Sequence, residues 1–163
     1  MINVITPLVK IWRKPVKIDM DNFTSIVAGR WVEQVSMDGG TPLIKEIASG
    51  VKPLNAKCSF SAYSTSEYES QDVSGVERLT VLEGPGTIIQ VDSEGYAITD
   101  ATAAAFAYTP GTEIQAAYDV GVGAAQILVA DLAKVCTLQA ANRAIGIVEY
   151  LDAVNGHLYY KLY

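Results

Sequence analysis

The chain has 163 residues, a length that predicts one domain with a buried core. Hydrophobic residues make up 50% of it and charged residues only 18%, and the formal net charge is −6. This acidic balance argues against nucleic-acid binding, which needs clustered basic side chains. The mean hydropathy of +0.20 is apolar for a soluble monomer, so we expect part of the surface to be covered by a partner.

Residues 1–18 predict an extended N-terminal arm. Pro7 and Pro15 remove backbone donors and disfavour a helix, while several apolar side chains along the arm need a groove on this chain or on a neighbour. The proposed partner-binding residues of the arm are Ile5, Leu8, Val9, Ile11 and Trp12. Basic residues alternate with apolar ones here, which favours docking on a protein over contact with DNA. We expect deletion of the arm to weaken docking and to leave the rest folded.

Residues 19–163 predict a single mainly β domain, because runs of alternating apolar and polar residues are separated by turn residues. The predicted strands before the last hairpin are Arg30–Ser36, Thr41–Ala48, Lys57–Tyr63, Val76–Glu83, Thr87–Asp92, Tyr96–Thr99, Glu113–Tyr118 and Ala125–Leu132. Asp100–Tyr108 is compatible with a helix or a strand, since alanine favours a helix but nine residues are marginal without packing. The pattern is typical of a β-barrel or a β-sandwich.

The last twenty residues, AIGIVEYLDAVNGHLYYKLY, predict a β-hairpin that closes this domain. Asn155-Gly156 favours a two-residue type I′ turn, which places Val154 opposite His157. Alternation then predicts one core face and one amphipathic, aromatic face that suits a neighbour, with Glu149 near the rim of the sheet. The predicted core face consists of Ile145, Ile147, Leu151, Ala153, Leu158, Tyr160 and Leu162, and the second face of Val148, Tyr150, Asp152, His157, Tyr159, Lys161 and Tyr163.

No catalytic or metal-binding pattern emerges from the sequence. His157 is the one histidine, so a His-based triad or zinc site would depend on a single turn position. Cys58 and Cys136 are far apart, and we interpret them as buried free thiols, although one disulfide stays open. Asp19–Asp21 and Asp92–Glu94 lack the spacing of a calcium loop. We therefore expect no catalytic residue, no metal and no cofactor.

No apolar run approaches the ~20 residues that cross a membrane as a helix. The first residues, MINVITPLVKIWRK, lack the charged segment, long apolar segment and cleavage site of a signal peptide. We expect no membrane partner and synthesis in a cytoplasm.

Three segments from Leu79 onward carry a resemblance to a known family. They read LTVLEGPGTIIQVDSEGYAITDA, YTPGTEI and AIGIVEYLDAVNGHLYYKLY. In the spacing of their turns and strands, over roughly half of the chain, they resemble the head decoration (capsid cement) proteins of tailed bacteriophages.

The resemblance implies a small β-barrel module and a non-enzymatic structural role in the virion. The expected partner is the major capsid protein, bound on the outer surface of the capsid, with the chain itself a homo-oligomer, a trimer or a dimer. Assembly would take place in the host cytoplasm, with neither nucleic acid nor membrane as a partner. The resemblance assigns no individual site residues.

Two other functional classes stay open at this stage. Another phage structural component, such as a tail-tube, tail or fibre-base protein, would share the β content and the subunit contacts. A carbohydrate-binding β module is the third class, because the chain has nine tyrosines that could form a sugar platform.

Overall fold

A computed structural model describes residues 2–4, 12–18, 31–47, 60–63, 78–83, 85–100, 102–117, 134–138 and 144–163. Within these ranges the structure contains β-strands and no helix, which confirms the expectation of a mainly β protein. The strands are β1 (Ile2–Val4), β2 (Trp12–Ile18), β3 (Trp31–Asp38), β4 (Thr41–Glu46), β5 (Phe60–Tyr63), β6 (Arg78–Glu83), β7 (Ile88–Val91), β8 (Glu113–Ala116), β9 (Val135–Thr137), β10 (Gly146–Asp152) and β11 (His157–Leu162).

Six of the strands form one antiparallel sheet with the order β1-β7-β11-β10-β8-β9. The C-terminal hairpin lies at its centre, because β11 also pairs with β7 and β10 also pairs with β8. Backbone bonds extend this pairing on both sides of the hairpin: Gly86 N donates to Leu162 O on β11, and Val148 N on β10 donates to Thr112 O. The hairpin thus joins both halves of the six-stranded sheet.

The other five strands pair in a ring. β2 pairs with β4 and β6, β3 pairs with β4 and β5, and β5 pairs with β6, so each strand has two neighbours. The β2–β4 pair, with Lys17 beside Leu43, is parallel, and the other four pairs are antiparallel.

Residues 1–18 contribute a strand to each of these two assemblies. β1 pairs with β7 at the edge of the six-stranded sheet, and β2 runs through the ring with Trp12 opposite Glu83. Because β2 is bonded on both sides, removing residues 1–18 would open the ring. This differs from the expectation that the domain stays folded without its arm.

The type I′ turn that the sequence predicts at Asn155-Gly156 is absent there, and the structure has such a turn between β3 and β4 instead. The two-residue loop with positive φ at both positions joins β3 to β4, where Gly39 has a φ of 54° and Gly40 of 83° between the paired residues Asp38 and Thr41. Two glycines at these positions avoid the steric cost that a Cβ meets in the left-handed region. The two flanking strands were predicted close to where they lie.

The loop of the C-terminal hairpin has four residues, Ala153–Gly156, rather than the predicted two. Gly156 has a φ of 69°, but Asn155 is not in the left-handed region, so the pair does not form a type I′ turn. Asp152 therefore lies opposite His157, and Tyr150 lies opposite Tyr159. The register expected from a two-residue loop is wrong.

A β-bulge at Glu149, between Val148 and Tyr150, then reverses the alternation in β10. Val148 pairs with Tyr160 and is only 2% exposed, whereas Ile147 is half-buried on the other side of the sheet. An extra residue in one strand exchanges the faces of everything beyond it. The predicted core positions Leu158, Tyr160 and Leu162 on β11 are confirmed, and those of Ile147 and the exposed Ala153 are wrong.

The main core lies on one face of the six-stranded sheet. Its members include Ile89, Val91, Ile114 and Leu158, and Trp31 and Ile47 from the ring belong to the same cluster. The two strand assemblies therefore share buried contacts. The ring also holds an ion pair across β3 and β4, in which Nζ of the half-buried Lys45 lies 3.4 Å from Oε1 of the buried Glu33.

Two tyrosines join the connection before β8 to this core. The rings of Tyr96 and Tyr108 pack edge to face with centroids 5.3 Å apart. The Tyr108 hydroxyl lies within hydrogen-bonding reach of the carbonyl oxygens of Ala97 and Val135. The expected strand Tyr96–Thr99 is reduced to isolated bridges, of which Tyr96 with Val135 is one, because these side-chain contacts replace a regular ladder.

Asp100–Tyr108 contains no helix in its described residues. A bridge between Thr99 and Ala105 closes a tight loop instead. Asp100 Oδ1 accepts hydrogen bonds from the backbone nitrogens of Thr102 and Ala104 and from the Thr102 hydroxyl. Ala103 in this loop has a φ of 64°, which is strained for a residue with a Cβ. The described residues also include β9, which the sequence did not predict, whereas the predicted strand Ala125–Leu132 lies outside them.

Replacing Gly146 should destabilise the protein because this glycine allows close contact between β10 and β11. A Cβ at this position would clash with the backbone carbonyl oxygen of Lys161. We expect Gly146→Ala to lower the free energy of unfolding by about 1–3 kcal/mol, measured by denaturant titration. Gly39→Asn is the control: its Cβ meets nothing within 4 Å, and asparagine tolerates positive φ. Equal midpoints for Gly146→Ala and the wild type would contradict the close contact.

Ala103→Gly should stabilise the protein, in contrast to most glycine substitutions. It relieves the left-handed strain of about 1–2 kcal/mol, from which the greater backbone entropy of an unfolded glycine subtracts about 0.5–1 kcal/mol. We expect a small rise in melting temperature. The same change at Ala107, an exposed alanine without positive φ, should lower it. A lower melting temperature for Ala103→Gly would show that the loop adopts another conformation.

Candidate interaction surface

The described residues contain no group of three or more His, Cys, Asp or Glu side chains that could hold a metal ion. His157 is half-buried at the start of β11, opposite Asp152. Cys136 is a buried free thiol, and burial raises its pKa, so it stays protonated at neutral pH. Cys58 lies outside the described residues, as do Asp19 and Asp21. No helix in the described ranges is long and apolar enough to cross a membrane.

Several carboxylates hold turns through backbone hydrogen bonds. Asp92 Oδ1 accepts from Glu94 N at 3.1 Å, and Asp100 organises the loop described above. The hydroxyl of Thr102 and the backbone donors lower the pKa of Asp100, because these bonds favour the ionised carboxylate. Both carboxylates therefore have a structural role in their own turns.

The side of the C-terminal hairpin that faces away from the core forms an aromatic surface. We call it the outer face and define it by Ile147, Glu149, Tyr150, Tyr159 and Lys161. Tyr150 and Tyr159 are opposite each other on β10 and β11, and their rings pack at an angle of 39° with centroids 5.9 Å apart. Tyr150 is 57% exposed although it belongs to the central hairpin of the sheet. The structure places Tyr150, Tyr159 and Lys161 on the side that the sequence had predicted for them.

Polar contacts flank the two tyrosines. Lys161 Nζ lies 3.1 Å from Glu149 Oε1, and the Tyr163 hydroxyl donates to Glu113 Oε1 at 2.9 Å. The bond to Glu113 raises the pKa of Tyr163, because it stabilises the protonated phenol beside a carboxylate. Both contacts are exposed, so they orient side chains more than they stabilise the fold. The outer face thus combines aromatic area with paired charges, a composition suited to binding another protein.

The loop Ala153–Gly156, which we call the hairpin tip, is held by Asp152. Its Oδ1 accepts from Val154 N at 3.0 Å and from Asn155 N at 3.1 Å, while its Oδ2 accepts from Asn155 Nδ2 at 2.7 Å. Gly156 N donates to the Asp152 carbonyl, and the Tyr96 hydroxyl donates to the Gly156 carbonyl. These bonds present Val154, which is 93% exposed, on an ordered loop.

The predicted site residues differ in their outcomes. Of the arm residues only Trp12 is described, by its backbone at the start of β2; Ile5, Leu8, Val9 and Ile11 lie outside the described residues. Asn155 and Gly156 belong to the hairpin tip, where Asn155 supports Asp152. Sequence reasoning missed the structural roles of Asp152 and Val154. An aspartate three residues before an asparagine, followed by glycine, was the available signal for this loop.

Comparison with known proteins identifies no relative: no protein-family model, curated protein or solved structure matches this chain.

Removing the Asp152 carboxylate should destabilise the hairpin tip in a pH-dependent way. The Asn155 side-chain amide, followed by the backbone donors, lowers the pKa of Asp152 below its ordinary value. The stabilisation is therefore fully present above the unfolded pKa of about 3.9 and is lost as the pH falls through the lower folded pKa. We expect Asp152→Ala to have a lower melting temperature than the wild type at pH 6.

This difference in melting temperature should shrink as the pH is lowered below about 4, because the wild-type carboxylate becomes protonated. Ala153→Ser, at an exposed position that leaves the Asp152 contacts in place, should follow the wild type at every pH. A difference that stays constant down to strongly acidic pH would show that the charge of Asp152 does not support the loop.

Proposed function

We propose that this chain is a non-enzymatic structural protein of a tailed-phage virion, which binds the outer surface of the capsid lattice and stabilises it. The observation that carries the proposal is the outer face of the C-terminal hairpin. The same segment, Ala144–Tyr163, carries the resemblance to head decoration proteins and presents the exposed tyrosine pair. An aromatic surface at the centre of a sheet is costly to leave in water, and binding a partner would cover it.

The chemistry of the surface favours binding over catalysis. Asp92, Asp100 and Asp152 support turns, and the charges on the outer face are paired with each other. Reinforcing a lattice needs no reactive group, only contacts that bind the assembled shell better than its separate subunits. Many copies on a symmetric shell make modest individual contacts collectively strong.

In this proposal the two strand assemblies serve as one decoration domain. The ring of five strands would be a small β-barrel, and the six-stranded sheet would present the outer face to the major capsid protein. A trimer or a dimer would place several outer faces at one symmetry axis of the lattice. The acidic composition suits a position on the capsid exterior, away from packaged DNA.

The direct test mixes the purified protein with expanded, undecorated phage capsids and measures occupancy and heat resistance. We expect saturable binding and a higher capsid melting temperature. Tyr150→Ala should reduce affinity about tenfold, since exposed aromatic side chains are frequent binding hot spots. Met37→Ala is the matched control, because Met37 is 56% exposed on β3, outside the six-stranded sheet. Absence of saturable binding by the wild type would refute the proposal.

Two rival functions have their own outcomes in the same experiment. Binding to tail tubes instead of capsids would assign the protein to another phage structural component. A carbohydrate-binding module is favoured by one observation, the tyrosine pair flanked by Glu149 and Lys161, which resembles the mixture of aromatic and polar groups in sugar sites. Binding to a glycan array that is lost in Tyr150→Ala would support this second candidate.

A further inference from the structure

The hairpin tip presents an apolar side chain in an unusual way. Val154 is 93% exposed, and exposed single apolar residues are common on protein surfaces, so exposure alone carries no argument. When such an apolar residue lies on a flexible loop, binding a partner costs the conformational entropy of that loop. At this tip, however, the backbone nitrogens of Val154 and Asn155 and the Asn155 side-chain amide all donate to the Asp152 carboxylate.

A second contact fixes the tip to the core of the protein. The Tyr96 hydroxyl donates to the Gly156 carbonyl at 3.3 Å, and the Tyr96 ring packs against buried Tyr108. Val154 is therefore held in place before any partner binds. Preorganisation of this kind raises affinity, because little conformational entropy remains to be lost on binding.

The charges around the tip are mainly acidic. Asp152 is at its base, and the turn with Asp92 and Glu94 leads directly into Tyr96. Asp152 pairs with His157 at the start of β11. Val91 pairs with the next residue, Leu158, so Asp92 also lies beside the start of β11. An apolar residue on a loop with carboxylates at its base is complementary to an apolar pocket with a basic rim.

We propose that the hairpin tip is a docking element of this protein in addition to the outer face, and that Val154 inserts into an apolar pocket with a basic rim on the major capsid protein. This inference rests on the proposed function and adds to it a second contact beside the outer face. A second copy of the chain fits this surface less well, because two tips brought together would oppose acidic groups. An anionic lipid surface would be repelled for the same reason.

The test measures the affinity of Val154→Ser for expanded, undecorated capsids, by occupancy at increasing protein concentration. We expect a loss of about tenfold or more, as is typical of a central apolar anchor, with an unchanged melting temperature for the free protein. Val35→Ser is the matched control, because Val35 is an exposed valine on β3 in the ring, and its affinity should equal that of the wild type. Asp152→Ala, which keeps Val154 but loosens the tip, should also lose affinity.

Salt provides an independent measurement. Charge complementarity predicts that wild-type affinity falls as ionic strength rises.

The outcomes separate this inference from the proposed function. If the wild type binds capsids and Val154→Ser binds equally well, the docking element lies elsewhere and the inference fails while the function stands. If the wild type does not bind capsids, both fail. If Val154→Ser instead dissociates an oligomer in analytical ultracentrifugation and leaves the affinity of the protomer for capsids unchanged, the pocket belongs to a second copy and the inference is wrong.

Discussion

The pairing of β10 with β11, with its bulge at Glu149, is the constraint on which the six-stranded sheet depends. β7 is bonded to one side of this hairpin and β8 to the other, so the register of both depends on it. The bulge lets Val148 and Leu151 share the side of the sheet with Leu158 and Tyr160, which fill the core. Gly146 completes the arrangement, because its missing Cβ lets the backbone of β11 come close.

The same hairpin provides the surface that we assign to binding. Filling the core with one side of each strand leaves Tyr150, Tyr159 and Lys161 on the opposite side, where no described strand covers them. Stability and the proposed binding therefore depend on opposite faces of the same two strands, which are formed by alternate residues. In the proposed lattice-stabilising role, the centre of the sheet would also be the part that presents the contacts.

Two loops use aspartate in the same way. Asp100 and Asp152 each accept hydrogen bonds from backbone nitrogens two and more residues ahead. The pKa of each is lowered by a side-chain bond, from Thr102 or from Asn155, and then by these backbone bonds. This gives an acidic protein ordered turns where glycine alone would leave more backbone freedom.

Local sequence determined the strands and several turns of this protein. Alternation gave β3, β4, β6 and β7 close to their observed bounds, and glycine pairs marked where the chain reverses, since both signals act within a few residues. The aromatic side of β11 was predictable for the same reason. The sequence could not decide which of two possible loops closes the last hairpin, because DAVNG satisfies both a two-residue and a four-residue turn. The longer loop is supported by the local Asp152 contacts and by the tertiary hydrogen bond from the Tyr96 hydroxyl to the Gly156 carbonyl, and β10 contains the bulge at Glu149. Together these choices determine which face of β10 is buried, because a period of two is reversed by a shift of one residue.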